Sequence, residues 1–197
     1  MTRVLPAGSV LVPEVAQKVF SGQIFDVYQW SQQQFDGSTK TFEMLKRPDT
    51  VQVLVVDGNQ VLLINDEQPG KAVSQHFPGG RVDPDEDWLP AAQRELSEET
   101  GIVCANWRLV DVQQPATKIE WFTPLFLATN ITERGPQSVD TGGEKITPVW
   151  QDFASLRKRL LGGGLPTLRH LSLLFSTINS VEELLALSEF KGQVKSN

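Results

Sequence analysis

Three glutamates, Glu95, Glu98 and Glu99, lie within the short stretch "RELSEETG". Carboxylates at helical spacings of three and four repel one another, at a cost of about 0.2–0.5 kcal/mol per pair. On a helix they share one face, within an arc of about 100°. Such a face is either a solvated acidic stripe or a cation site, because hard divalent cations such as Mg²⁺ bind carboxylate oxygens and substrate phosphates together. The pattern therefore raises the possibility of metal-dependent chemistry on a phosphorylated substrate.

The residues around these glutamates favour the cation site. From Gly80 the chain reads "GRVDPDEDWLPAAQRELSEETGI", which is a glycine, five residues, Glu86, seven residues and then "RELSEETGI". This is the full pattern of the Nudix box, with no departure at any defining position. The chain therefore resembles the Nudix hydrolases.

The resemblance implies metal-assisted attack of water on a diphosphate that is joined to another moiety. It implies that Mg²⁺ or Mn²⁺ is held by the carboxylates of Glu95, Glu98 and Glu99 and by the backbone carbonyl of Gly79. Within this group Glu98 and Glu99 are catalytic, and Arg94 orients a glutamate. For Glu86 the resemblance implies support of the preceding loop or of an outer metal shell. The alternative is that Glu86 is simply a favourable acid near a helix N-terminus.

A narrower resemblance extends over residues 18–155. An N-terminal hairpin, then "KRPDTVQVLVVDGNQVLLI" and "FPGGRVD", is similar to the ADP-ribose and nucleotide-sugar pyrophosphatase branch. Members of that branch dimerise through the N-terminal strands, whose aromatic side chains stack on a nucleobase. The candidates here are Phe25, Tyr28 and Trp30, and ordinary strand packing is the alternative role for each. The chain departs from the branch at "NDEQPGK", where an arginine-bearing segment is usual, and at Pro115, thirteen residues after Ile102.

Further charged residues are candidates for the site. The branch carries a catalytic glutamate in a loop before the last strand, and "DTGGEKI" supplies Glu144, with Glu120 in "TKIEW" as its competitor. Arg81 and Lys118 are expected to contact phosphate, unless they are solvated surface charges. His76 and His170 have no partner spacing for metal or triad chemistry, so both are interpreted as structural.

The elements that position these residues can be predicted from apolar patterns and turn signals. Asp-Gly turns at 36–37 and 57–58 predict hairpins with strands at 23–35 and 38–45, and at 51–56 and 61–64. The box helix is predicted between Asp87 as N-cap and Gly101 as the residue that ends it, with Leu89, Ala92 and Leu96 facing the core. Later segments predict strands at 106–112, 121–129 and 146–150, and helices at 151–161 and 167–188.

The resemblance implies an α/β/α sandwich with a mixed, mostly antiparallel sheet. Residues 1–48 are expected to form an extension whose hairpin dimerises, with residues 1–17 loosely attached, and residues 49–197 to form the hydrolase domain. The net charge of −6 argues against nucleic-acid binding. A single cysteine, Cys104, favours a reducing cytoplasm. No signal sequence or membrane-spanning segment is predicted, so no membrane association is expected.

The expected function is therefore a Mg²⁺-dependent pyrophosphohydrolase that acts on ADP-ribose or a related nucleotide-sugar, as a homodimer. A nucleoside triphosphate or dinucleoside polyphosphate hydrolase is the first alternative. An isopentenyl diphosphate isomerase needs a reactive cysteine, and Cys104 is badly placed for that role. A non-catalytic nucleotide-sensing domain is the last alternative, although three unneutralised carboxylates confer no evident benefit on a binding module.

Overall fold

The computed structural model describes residues 2–138, 143 and 145–196. Twelve strands lie in that part of the chain: β1 (Thr2–Leu5), β2 (Gln17–Ser21), β3 (Asp26–Gln33), β4 (Thr39–Lys46), β5 (Gln52–Asp57), β6 (Gln60–Glu67), β7 (Ser74–His76), β8 (Ile102–Gln113), β9 (Ile119–Glu120), β10 (Thr123–Arg134), β11 (Lys145–Asp152) and β12 (Gln193–Ser196). The helices are α1 (Trp88–Thr100), α2 (Phe153–Leu161), α3 (Ser172–Thr177) and α4 (Val181–Leu185), with a 3₁₀ helix at Pro166–Leu171.

A mixed sheet forms the centre of the molecule, with strand order β11-β6-β5-β10-β8 and β7 paired to β6. Among the described residues, β5 and β10 are parallel and the other pairings of this sheet are antiparallel. Alternate side chains of β5 point to opposite faces. Val53 and Val55 enter the hydrophobic cluster that contains α1, and Leu54 and Val56 enter the one that contains α2. Helices thus cover both faces, which confirms the predicted α/β/α sandwich.

A second sheet, with strand order β2-β3-β4-β9, carries the N-terminal aromatic residues. Strands β3 and β4 form the predicted hairpin around Asp36-Gly37. Gly37 has a φ of 83°, a left-handed conformation that glycine adopts without strain. Trp30 pairs with Phe42 and Tyr28 pairs with Met44, so two of the three base-stacking candidates lie on one face of this sheet.

Helix α1 has the predicted limits. Asp87 is extended and occupies the N-cap position, although its side chain makes no capping hydrogen bond. Gly101 ends the helix with a φ of 68°. One expectation for the inward face is wrong: Leu89 is 39% exposed, whereas Trp88 is buried. Trp88 turns inward because its indole Nε1 donates to Oδ2 of Asp49 at 2.9 Å.

Two other expectations from the sequence are also wrong. Residues 1–17 are not loosely attached, because β1 pairs with β12 near the other end of the chain and Leu5 is buried. The helix expected at 167–188 is instead a 3₁₀ helix followed by α3 and α4. The backbone extends at Ile178, and the side chain of Ser180 accepts from the Glu183 N–H to begin a new helix. No helix in the described part of the chain has the length and apolar character needed to cross a membrane.

Candidate active site

Arg94 organises the acidic face of α1. Its Nη1 donates to Oε1 of Glu95 at 2.9 Å and to Oε2 of Glu98 at 3.2 Å. Its Nε and Nη2 donate to the two oxygens of Glu86 at 3.1 and 2.9 Å, and Nη2 also donates to the carbonyl of Arg81 at 3.0 Å. One guanidinium therefore joins the box loop to the helix and offsets the repulsion between Glu95 and Glu98. Glu86 supports the loop, one of the two roles considered for it.

Glu99 is held by the backbone of the loop that precedes the box. It is 8% exposed, and its Oε2 accepts from the backbone N–H of Gly79 at 2.8 Å. Glycines allow this close approach, since a Cβ on Gly79 would overlap the carbonyl oxygen of Val51. A Cβ on Gly80 would lie 2.6 Å from both carboxylate oxygens of Glu95. The double glycine of "FPGGRVD" therefore brings bare backbone against two of the box carboxylates.

Burial and nearby positive charge shift the pKa values of the acidic side chains in this group in opposite directions. Burial raises the pKa of Glu95, although Arg94 opposes the shift. The hydrogen bonds from Arg94 lower the pKa of Glu86. No three acidic, histidine or cysteine side chains among the described residues converge closely enough to hold a metal ion in this conformation. Arg94 occupies one oxygen of Glu95 and one of Glu98, so a cation would use their second oxygens.

A cleft of about 580 Å³ opens beside this group. Its lining includes Asp83 and Asp85 of the box loop together with Lys46 and Arg47, and none of the three box glutamates. Asp85 has a φ of 64°, an uncommon conformation for a residue with a side chain. Asp83 lies 3.9 Å from Nη2 of Arg94, so the cleft and the acidic face of α1 are contiguous.

Arg47 is a candidate that the sequence argument did not identify. Its guanidinium lies 4.5 Å from the ring centre of Trp121 and 5.6 Å from that of Phe25. Its Nε is buried and has no hydrogen-bond partner in the described part of the chain. Burial, and after it the nearby charge of Arg81, lower the pKa of Arg47. Two arginines side by side can receive an anionic group. The available signal was its place in "KRPD", the short segment between the predicted strands at 38–45 and 51–56.

The predicted aromatic contacts lie on the second sheet. The rings of Trp30 and Phe42 are 5.3 Å apart, and Nζ of Lys118 lies 5.8 Å from the ring centre of Phe42. Tyr28 lies on the same face, with Nζ of Lys18 at 5.9 Å. Trp30 and Lys118 therefore meet across one aromatic ring. In this conformation both side chains lie beside the ring of Phe42, and neither has a described contact with a box glutamate.

Of the two candidates for the catalytic glutamate, the structure describes Glu120 and not Glu144. Glu120 is buried, and its Oε1 lies 2.7 Å from Nζ of Lys46 and 3.6 Å from Nη1 of Arg3. Its Oε2 accepts from the Val12 N–H at 2.8 Å. Glu120 therefore helps to fix the N-terminal segment. Glu144 lies outside the described residues.

The remaining candidates have structural partners. Nδ1 of His76 lies 2.9 Å from the Phe77 carbonyl, and Nε2 of His170 lies 2.9 Å from Oε1 of Gln52. Cys104 is buried, and burial raises the pKa of its thiol to about 11. A thiol in that state is a poor nucleophile. These placements agree with the structural roles assigned to them from the sequence.

Comparisons with known proteins define the class of this domain. A family model described as the NUDIX domain matches residues 46–171. A crystal structure of an ADP compounds hydrolase is similar over 79% of this chain and 86% of that chain, with a TM-score of 0.61 and 19% identity, which shows the fold alone. The chain belongs to the NUDIX family, and the resemblance found in the box is confirmed.

Two curated relatives are similar over shorter stretches. A Mus musculus protein named 8-oxo-dGDP phosphatase NUDT18 is 28% identical over 104 residues, which are 53% of this chain and 32% of that protein. A Bacillus subtilis (strain 168) protein named ADP-ribose pyrophosphatase is 30% identical over 87 residues, which are 43% of this chain and 47% of that protein. The chain therefore spans less than half of the length of these relatives.

Proposed function

We propose that this protein is a Mg²⁺-dependent pyrophosphohydrolase that cleaves the diphosphate of ADP-ribose or a related nucleotide-sugar into a nucleoside monophosphate and a sugar phosphate. One observation carries the proposal: Arg94 and the Gly79 N–H order the box glutamates, and Arg94 joins their helix to the box loop, which lines a cleft that also contains Lys46 and Arg47. Family membership and the similarity to the Bacillus subtilis relative support this substrate class.

The donor atoms available at the box are of the kind that a divalent cation binds. Glu95, Glu98, Glu99 and the carbonyl of Gly79 supply only hard oxygen donors, which suit Mg²⁺ or Mn²⁺. The N–H groups of Val51 and Val53 donate to the carbonyls of Gly80 and Pro78 at 2.9 and 2.8 Å, which fixes the double-glycine segment where the Gly79 N–H meets Glu99. When bound, such a cation neutralises phosphate oxygens and lowers the pKa of the attacking water.

Arg47, which lines the cleft, and the neighbouring Arg81 are assigned to the diphosphate. A guanidinium presents a planar fork of donors that matches phosphate oxygens. Trp121 and Phe25 restrict the plane of Arg47, so little side-chain freedom remains to be lost on binding. Arg81 lies close enough for its positive charge to lower the pKa of Arg47. These two residues orient the substrate so that its diphosphate reaches the box helix.

The aromatic face of the second sheet is assigned to the nucleobase. Tyr28 and Trp30 share this face with Asp26 and Lys46, which line the cleft. A base that stacks on Trp30 would lie near the positive charge of Lys118. The cleft is thus assigned to the sugar and diphosphate, and the sheet face to the base.

Glu144 is proposed as the general base that positions or deprotonates water. Described residues on either side of Glu144 have partners: the Ser138 N–H donates to the Glu98 carbonyl at 3.0 Å, and Nζ of Lys145 lies 3.0 Å from Oε1 of Glu67. The competitor Glu120 has both carboxylate oxygens engaged by Lys46, Arg3 and the Val12 N–H. These contacts assign Glu120 to fixing the N-terminal segment and not to the reaction.

A homodimer is proposed through the N-terminal strands. Strand β2 is an edge strand, and exposed apolar side chains lie on it and beside it, including Val19, Phe20 and Ile24. Exposed apolar edges of this kind invite pairing with another chain. Docking of a second copy would cover them.

A second candidate function is the hydrolysis of nucleoside diphosphates to monophosphates and inorganic phosphate. The similarity to the Mus musculus protein named 8-oxo-dGDP phosphatase NUDT18 favours it. The products separate the two functions, since ADP-ribose yields AMP and ribose 5-phosphate without free phosphate.

The test is a panel of ADP-ribose, nucleotide-sugars, nucleoside di- and triphosphates and dinucleoside polyphosphates, with the products identified by chromatography. We expect AMP from ADP-ribose in millimolar Mg²⁺ and none in excess chelator. Glu98→Gln should lose most of the activity, whereas Glu189→Gln, at an exposed position distant in sequence from the box, should keep it. Full turnover in chelator, or equal activity of both variants, would refute the proposed metal site.

A further inference from the structure

Arg3 brings a further positive charge to the cleft. It lies on β1, which pairs with β12, and Leu5 of the same strand is buried in the hydrophobic cluster that contains α1. The Arg3 side chain is 12% exposed, and it lines the cleft together with Lys46 and Arg47. The N-terminal strand is therefore docked where one of its side chains can reach a molecule bound in the cleft.

The carboxylates beside Arg3 are bound more closely by other groups. Nε of Arg3 lies 3.3 Å from Oδ2 of Asp49, and its Nη1 lies 3.6 Å from Oε1 of Glu120. The same Asp49 oxygen accepts from Nε1 of Trp88 at 2.9 Å. The same Glu120 oxygen lies 2.7 Å from Nζ of Lys46. The contacts of Arg3 are thus ion pairs with oxygens that already have a nearer partner.

Arg3 and Arg47 share a buried nitrogen that lacks a hydrogen-bond partner. Among the described residues, three buried side-chain nitrogen or oxygen atoms have no such partner, and two of them are Nε of Arg3 and Nε of Arg47. A buried donor without a partner costs free energy, because its hydrogen bonds to water are lost and not replaced. Both of these arginines line the same cleft. A ligand with several acceptor oxygens would satisfy both donors.

We propose that Arg3 is a substrate-binding residue, which holds the diphosphate together with Arg47. The inference rests on the proposed function, in which the cleft receives the sugar and the diphosphate. A guanidinium presents a fork of donors to phosphate oxygens, and hydrogen bonds between ionised groups are about twice as strong as neutral ones. Aromatic rings restrict Arg47, and the pairing of β1 together with two carboxylates restricts Arg3. Both cations are therefore in place before the substrate binds.

The experiment is isothermal titration calorimetry with ADP-ribose in EDTA, where no turnover is expected. Arg3→Met should raise Kd about 10- to 100-fold, the effect of losing a hydrogen bond between charged groups. Glu120→Gln is the matched control, because it removes the charge of the partner and leaves the guanidinium in the cleft, so Kd should stay within about threefold of the parent. Arg134→Met removes an arginine that pairs with Asp57 outside the cleft, and Kd should stay within about twofold.

Steady-state kinetics in Mg²⁺ add a second readout. Arg3→Met should raise KM by a similar factor and leave kcat within about threefold, because none of its described contacts involves a box glutamate. Arg3→Lys is the second variant if Arg3→Met does not fold. It keeps the charge and loses the fork, so it should raise Kd about 3- to 10-fold.

Three results would overturn the inference: a Kd within twofold of the parent for the Arg3 variant, an equal rise of Kd in Glu120→Gln, or an equal rise in Arg134→Met. The second result would mean that Arg3 acts only through its ion pair. The inference also fails if the parent binds neither ADP-ribose nor inorganic pyrophosphate. A parent that binds ADP-ribose and hydrolyses no phosphoanhydride refutes the proposed function instead, so the two failures are distinguishable.

Discussion

Removal of the Arg94 guanidinium should expose the repulsion that the box helix carries. Arg94 is 29% exposed and makes five hydrogen bonds, four of them to the carboxylates of Glu86, Glu95 and Glu98. Removing one partner of a buried ion pair costs about 3–5 kcal/mol. Arg94 and Glu98 are partly exposed, so solvent screens part of the interaction between these charges. We therefore expect Arg94→Met to lower the free energy of unfolding by about 3 kcal/mol. In a domain of this size that corresponds to a fall in Tm of about 6–12 °C.

Mg²⁺ should reverse part of this loss. A cation at the box neutralises the same carboxylates, and a ligand at 100 times its Kd stabilises the folded state by about 2.7 kcal/mol. We expect the difference in unfolding free energy between the parent and Arg94→Met to shrink by at least about 1 kcal/mol in saturating Mg²⁺. Arg94→Lys, which keeps the charge and loses the fork, should lie between them.

The assay is urea unfolding followed by tryptophan fluorescence, in EDTA and in Mg²⁺, for all three proteins. The reasoning would be refuted if Arg94→Met had the same urea midpoint as the parent in EDTA, because Arg94 would then not offset the repulsion. A difference between parent and variant that is identical in EDTA and Mg²⁺ would show that the cation does not bind these carboxylates.

Three further predictions concern other parts of the molecule. Glu144→Gln should lower kcat about 10²–10⁴-fold with little change in KM or Mg²⁺ affinity, as for a positioned base. The measurement is a Mg²⁺ titration of Glu144→Gln beside Glu120→Gln, with kcat and KM obtained for both. A large loss of kcat in Glu120→Gln alone would assign the base to Glu120. The parent should be a homodimer by light scattering at micromolar concentration, and Phe20→Asp on the edge strand should yield monomer, whereas a monomeric parent would contradict the proposed interface. Burial lowers the pKa of His170, so the folded state binds fewer protons than the unfolded state below about pH 6.5 and stability should fall as the pH drops from 7.5 to 5.5. His170→Gln should reduce that fall, and an unchanged difference between urea midpoints at the two pH values would disprove the assignment.

The sequence determined the local part of this molecule. The two Asp-Gly turns and the limits of α1 follow from backbone preferences that act within a few residues, so the hairpins and the box helix could be predicted. The grouping of Glu95, Glu98 and Glu99 on one face follows from the helical repeat alone. The box pattern then indicated the family, which the family model confirms.

Tertiary structure decided the features that depend on residues far apart in the chain. The pairing of β1 with β12 and the burial of Glu120 by Arg3 and Lys46 join segments that no local pattern relates. The break at Ile178, by contrast, has a local signal: Ile178 lies in the polar run "STINS", and Ser180 caps a new helix, which apolar periodicity alone does not reveal.

The same distinction applies to the candidate site. Its carboxylates could be identified from sequence, because their spacing is regular. Arg47 and Arg3 could not, since an arginine between two aromatic rings and an arginine of the N-terminal strand acquire their roles only when distant segments meet. Hydrogen bonds and ring contacts act over a few ångströms in space, whatever the separation along the chain. The sequence thus determined which acids share a helix face, and the fold decided which cations and amides surround them.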